Sequence, residues 1–215
     1  MDICLARQPI FTTSNEVVGY KLLYRRAATD TSADVILHTF INIGLNQLTA
    51  GRSAFMNFTR EMLLDRAFSL MPPESVVIEL LQSVEPDDEV EHACEELVSM
   101  GYSLALDEFA WSSRYRRLLE LASIVKVDVL NQPVTKLDEI AQLLAPYDVQ
   151  LLAERVDTAE VRNRCAGLGY ELFQGYYYAR PETVVKRALT SEELAIARAM
   201  TVMCDPRASD DTAEA

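Results

Sequence analysis

The run Ser75-Val76-Val77-Ile78-Glu79-Leu80-Leu81, the segment from Asp87 to Met100 with Gly101 behind it, and the run Ser103-Leu104-Ala105-Leu106-Asp107 together decide the fold. The first run follows Pro72-Pro73 and is rich in Val and Ile, as a strand is. The middle segment is helical and stops at Gly101, the residue type most comfortable at the positive φ of a helix C-terminus. The last run is a second strand. Strand, helix and strand in that order make the unit of a parallel sheet with crossover helices.

The same alternation extends in both directions. Upstream, Leu5 to Phe11 and Val17 to Arg25 flank the polar turn Thr12-Thr13-Ser14-Asn15-Glu16, a hairpin signal. Val35, Ile36, Phe40, Ile43 and Leu48 predict a helix that stops near Gly51, ahead of a strand from Ala54 to Phe58 and a helix from Arg60 to Leu70. Downstream come a helix around Arg117 to Leu121, a strand Ile124 to Leu130, a helix Thr135 to Leu144, a strand Val149 to Ala153, a helix Thr158 to Ala166 and a strand Glu171 to Phe173. Tyr176-Tyr177-Tyr178 reads as part of that last strand. Eight strands, six of them preceded by a helix, predict an α/β chain folded as a TIM-like (β/α)8 barrel with an irregular N-terminal antiparallel strand. The barrel is expected over residues 1–203, with 204–215 as an acidic flexible tail or linker.

Composition bounds the partners. The chain has 215 residues, 49% hydrophobic and 25% charged, enough for one sizeable core and unlike a disordered or coiled-coil sequence. Its 20 Lys and Arg against 33 Asp and Glu leave a formal charge of −13, which argues against nucleic acid; the densest basic group is only Arg114, Arg116 and Arg117. No uninterrupted apolar run approaches the ~18 residues of a membrane span, and no basic lead precedes an apolar segment at the start, so the expectation is a cytoplasmic domain without membrane contact. Cys4, Cys94, Cys165 and Cys204 are scattered without metal-ligand spacing and read as reduced packing residues. His38 and His92 lie in helical patterns with no nucleophile beside them.

Function-bearing chemistry gathers at the C-terminal ends of the expected strands, where a barrel assembles its site. Arg25, Asn57, Glu79, Asp107 with Glu108, Lys126 with Asp128, Glu154 with Asp157 just beyond, and Gln174 all fall there. Period two puts Lys21 and Arg25 on one strand face, and Lys126 and Asp128 on another. A carboxylate inside an apolar strand such as Val76–Leu80 needs a cation or a partner. Converging carboxylates, an amide and a lysine suit hard divalent cations and a phosphate ester.

At these residues the sequence resembles the EAL domain family, the cyclic di-GMP phosphodiesterases and their non-catalytic relatives. The matching segments run in order through Ala6-Arg7-Gln8-Pro9-Ile10-Phe11, Gly19-Tyr20-Lys21-Leu22-Leu23-Tyr24-Arg25, Asn57-Phe58-Thr59, Val77-Ile78-Glu79-Leu80, Leu104-Ala105-Leu106-Asp107-Glu108-Phe109, Val125-Lys126-Val127-Asp128, Leu152-Ala153-Glu154-Arg155-Val156-Asp157-Thr158 and Phe173-Gln174-Gly175-Tyr176. The opening segment and Leu118-Leu119-Glu120-Leu121-Ala122 are most similar to the branch whose EAL domain precedes an HDOD domain. The resemblance implies metal-assisted hydrolysis, with two Mg²⁺ or Mn²⁺ ions in active members. It implies Asn57, Glu79, Asp107 and Glu154 as metal ligands, Asp128 as an acid near the second metal, and Lys126 beside the attacking water. Arg25 matches a phosphate contact and Gln174 a polar wall residue.

Several positions depart from that pattern. The Glu-Ala-Leu signature reads Lys21-Leu22-Leu23, which turns a metal-binding acceptor into a cationic donor. Glu-x-Thr-Glu reads Glu79-Leu80-Leu81-Gln82, and Asp-Asp-Phe reads Asp107-Glu108-Phe109. The Gly and Glu after the seventh strand are Arg155 and Asp157, and the loop Ala110-Trp111-Ser112-Ser113 lacks its glycines. Three readings follow. The first is a degenerate EAL domain that needs no cofactor, has Lys21 as an internal counter-ion and acts on a regulatory protein partner. The second is a metal-free cyclic di-GMP sensor using Arg25, Asn57, Lys126 and Gln174. The third is an active phosphodiesterase, with Mg²⁺ or Mn²⁺ held with help from Glu108 or Asp157. The segment 110–117, with Trp111 and its arginines, has two readings, the contact of a homodimer or Trp111 packed down on the barrel mouth.

Overall fold

The computed structural model describes residues 2–24, 44–109, 112–130 and 132–187. Arg25, Trp111, most of the helix expected over Val35 to Leu48, and the tail expected from 204 lie outside them. Strands β1 (Asp2–Thr12) and β2 (Val17–Tyr24) form the predicted antiparallel hairpin, with Gln8 opposite Lys21 and Ile10 opposite Gly19. From β2 the sheet runs parallel through β3 (Ser53–Phe58), β4 (Val76–Leu80), β5 (Ser103–Leu106), β6 (Ile124–Asp128), β7 (Gln150–Glu154) and β8 (Leu172–Phe173). Pairing of Phe173 with Phe11 brings β8 antiparallel onto β1 and closes the ring. This is the expected (β/α)8-like barrel with one inverted strand.

Two expectations about strands need correction. A ninth strand, β9 (Glu182–Arg187), pairs antiparallel with Asp2–Arg7 of β1, where the sequence reading stopped at eight. Tyr176, Tyr177 and Tyr178 do not continue β8; they form a turn in which the Tyr178 and Ala179 N–H groups donate to Gly175 O and Tyr177 N–H donates to Val156 O. Those bonds spend on a turn the backbone groups that a longer strand would need. Tyr178 stacks on Phe11 with ring centroids 4.6 Å apart, while Tyr176 and Tyr177 are exposed.

The helices are α1 (Leu45–Thr49), α2 (Arg60–Leu64), α3 (Asp88–Ser99), α4 (Arg116–Leu121), α5 (Val134–Leu144) and α6 (Ala159–Gly167). Side chains cap three of them: Thr59 accepts from Met62 N–H, Asp87 from Val90 N–H and Thr158 from Val161 N–H. Gly101 takes φ 89° after α3, as expected. The helix expected over Arg60 to Leu70 breaks after Leu64, and a 3-10 turn (Ala67–Leu70) then puts Phe68 in the core.

The strands are buried on both faces, as crossover helices require. Ile78, Leu104, Val125 and Ala153 face the helices and share one apolar cluster with Leu97, Leu118, Leu137 and Cys165. The alternate positions Ile10, Phe55, Val77, Ala105, Ile124, Leu152 and Leu172 form a second cluster, a plug inside the barrel. β2 contributes Gly19 at this level because Phe55 fills its place: a Cβ there would lie 2.6 Å from Phe55 Cε2.

Candidate functional site

Two residues beyond the plug, toward the C-terminal ends of the parallel strands, the inward positions turn polar. Period two takes Phe55 to Asn57, Val77 to Glu79, Ala105 to Asp107, Ile124 to Lys126, Leu152 to Glu154, Leu172 to Gln174 and Gly19 to Lys21. On the inverted β1 the same level is reached two residues before Ile10, at Gln8. Of the eight buried polar or charged side chains among the described residues, seven belong to this ring, so the polarity of the interior is concentrated in one place. Thr49 is the exception.

Five of these side chains form a closed ionic cluster. Lys21 Nζ lies 2.8 Å from Asp107 Oδ2, 3.3 Å from Glu154 Oε1 and 3.5 Å from Glu79 Oε2. Its bonds to Asp107 and Glu154 are hydrogen bonds, whereas the approach to Glu79 has the distance of an ion pair without the alignment. Lys126, wholly buried, donates to Glu79 Oε1 and lies 2.7 Å from Glu154 Oε1 and 3.4 Å from Asp107 Oδ1. Each carboxylate therefore faces both ammonium groups.

Burial by itself would depress the Lys21 pKa, but the surrounding Glu79, Glu154 and Asp107 outweigh it and raise it above the ordinary lysine value. At Asp107 burial works upward and is overcome by Lys126 and Lys21, so its carboxyl titrates below the usual range. Glu154 goes the other way: burial, reinforced by Asp107 and Glu79, outweighs the two lysines and raises its pKa. Three acids against two cations leave one unit of negative charge uncompensated within the cluster.

Gln8 belongs to the site and was missed by the sequence reading. Its Nε2 donates to Ala179 O at 2.9 Å, which leaves Oε1 to accept from Gln174 Nε2 at 2.8 Å. That relay fixes the Gln174 amide and leaves its Oε1 buried with no hydrogen-bond partner; Asn57 Oδ1 and Glu79 Oε2 are in the same state. The available signal was the phase of Gln8, two residues from Ile10 on a strand that runs backward.

The remaining candidates sit at the rim. Asp128 accepts from Leu130 N–H at 2.9 Å and from Arg155 Nη1 at 2.6 Å. Glu108, exposed, takes φ 50° and its N–H donates to Asp107 Oδ1 at 2.9 Å. Glu108, exposed Gln82 and Asp128 line one cavity of about 690 Å³ together with Phe109, Val127 and Ile140. Asp157 is exposed. Among the described residues no group of three or more His, Cys, Asp or Glu side chains is arranged to hold a metal ion.

The sequence profile of the EAL domain matches residues 24–181. This chain belongs to the EAL domain family. It is 31% identical over 214 residues to a protein of Vibrio cholerae named cyclic di-GMP phosphodiesterase CdgJ, covering 94% of this chain and 50% of that protein. It is 31% identical over 198 residues to YuxH of Bacillus subtilis, an uncharacterized protein, covering 86% of this chain and 48% of the relative. The chain thus spans about half the length of the curated relatives it matches. Among solved structures, the Bacillus subtilis YkuI protein, with an EAL domain in complex with cyclic di-GMP and calcium, superposes with a TM-score of 0.68 at 20% identity, covering 93% of this chain and 61% of that one. No helix among the described residues is long and apolar enough to cross a membrane.

Proposed function

We propose that this EAL domain does not hydrolyse cyclic di-GMP and acts instead as a regulatory module that works through a protein partner. The observation that supports it is the position of Lys21 Nζ, within 2.8–3.5 Å of Asp107, Glu154 and Glu79. These are the acids that the family resemblance assigns to metal. A divalent ion ~4 Å from that ammonium would meet roughly 8 kcal/mol of repulsion at an effective dielectric near 20. That equals the whole binding free energy of a complex with a Kd of about 1 μM. The residues present do not fit a metal in that position.

The test is incubation with cyclic di-GMP and Mg²⁺ or Mn²⁺, followed by chromatography. No linear dinucleotide is expected, and its appearance would restore the activity for which CdgJ is named. A second reading, a metal-free cyclic di-GMP sensor, draws on the buried, unpartnered Asn57 Oδ1 and Gln174 Oε1, acceptors that a nucleobase N–H could satisfy. Calorimetry without metal separates the two: binding tighter than about 10 μM, roughly −7 kcal/mol, favours the sensor. Residues 110–117 are the proposed homodimer contact. Arg114 and Arg117 there are already paired with Glu85, Glu95 and Glu120, which leaves exposed Arg116 as the residue to reverse in light scattering.

A further inference from the structure

Arg155 holds a left-handed backbone at φ 61° directly after Glu154 of the ionic cluster. That conformation costs a residue with a Cβ roughly 1–2 kcal/mol, and glycine would avoid the cost. A position strained in this way directs attention to what its side chain does. Arg155 Nη1 lies 2.6 Å from Asp128 Oδ2, and Asp128 Oδ1 accepts from Leu130 N–H. Both carboxylate oxygens are therefore engaged. Asp128 ends β6 in register with Glu154, so the pair stands at the rim of the same mouth.

We propose that Arg155 is a second built-in counter-ion, which pairs with Asp128 at the exposed rim of the mouth, its side chain 60% exposed, while Lys21 pairs with Asp107, Glu79 and Glu154 in the buried interior. The inference rests on the reading of Lys21 given above and extends it to the other side of the mouth. Four acids, Glu79, Asp107, Asp128 and Glu154, face three cations, Lys21, Lys126 and Arg155. With Lys126 alone they would stand three charges short, a deficit suited to divalent ions. A guanidinium cannot lose its proton in a protein, so this counter-ion persists at any pH at which the barrel is folded. On this reading, replacing Lys21 alone still leaves Asp128 paired with Arg155.

The experiment is calorimetric titration of Mn²⁺ into the full chain, Lys21→Glu, Arg155→Gly and the double variant, each checked for folding by circular dichroism. The double variant is expected to bind at least tenfold more tightly than Lys21→Glu, or to take up an additional equivalent. Asp128→Asn added to the double variant should abolish that gain. Equal affinity and stoichiometry in Lys21→Glu and the double variant would overturn the role of Arg155 and leave the reading of Lys21 intact. If the unaltered chain already binds Mn²⁺, the reading of Lys21 fails. Arg155→Gly against the unaltered chain then decides: a tenfold gain or an added equivalent supports Arg155 as a counter-ion, and no change overturns it. Should Lys21→Glu not fold, Lys21→Gln removes the cation without adding an acid and allows the same comparison.

Discussion

The outer helices and the barrel mouth are both laced with ion pairs, and they use them differently. On the outside, Arg60 reaches Asp87 and Glu89, Arg66 reaches Glu96, and Arg117 joins Glu95 to Glu120, tying α2, α3 and α4 together. In the mouth, Lys21 and Lys126 meet Glu79, Asp107 and Glu154 away from water. Water competes with the outer pairs and would solvate either partner alone, so breaking one exposes nothing costly. In the mouth, removing one partner strands a charge that cannot be rehydrated. Burial, more than the number of bridges, decides which pairs the fold depends on.

The largest break in that contrast should come from Lys126→Ala. It leaves three buried acids facing Lys21 alone, and the expected loss is about 3–5 kcal/mol in urea denaturation. Lys21→Gln should cost less, because Lys21 keeps a small exposed fraction through which water can reach the acids it leaves. Gly19→Ala tests the apolar layer beneath. Its Cβ would lie 2.6 Å from Phe55 Cε2 and 2.7 Å from Ser53 O, so overpacking of about 1–3 kcal/mol is expected, with Lys21 displaced as well.

A pH series sharpens the comparison. Burial would raise the Asp107 pKa, but Lys126 and Lys21 hold it below the unfolded value near ~3.9. The folded chain then binds fewer protons than the unfolded chain in that region. The contribution of Asp107 is complete above about pH 4 and drains away as pH falls toward its folded pKa. Asp107→Asn should flatten this acid limb in thermal melts at stepped pH. At the small end, Arg117→Ala on the outer network should leave the urea midpoint unchanged within error; a clear loss would mean that exposure does not separate the two sets.

Most of the barrel was legible because its strands are short apolar runs with helices between them. The convergence of polar side chains in the mouth was legible for the same reason, since a single charge inside such a run, as at Glu79 or Lys126, stands out. What escaped depended on pairing rather than pattern. Gln8 sits between Arg7 and Pro9 in a hairpin strand, where a polar residue ordinarily faces water, and only its register with Lys21 turns it inward. β9 opens with Glu182-Thr183, follows no helix, and owes its existence to the free edge of β1. The contact of Arg155 with Asp128 needed a backbone angle that composition does not announce.

The position of β1 has a consequence for the order in which the molecule can assemble. Its residues bond to β2 at once, yet Phe11 must wait for Phe173, and Ala6 for Thr183, before their other hydrogen bonds exist. Such distant pairings slow folding and leave a bare strand edge on the growing chain. A chain that stopped short of β8 would leave the edge of β1 away from β2 unpaired, a template on which other strands can add.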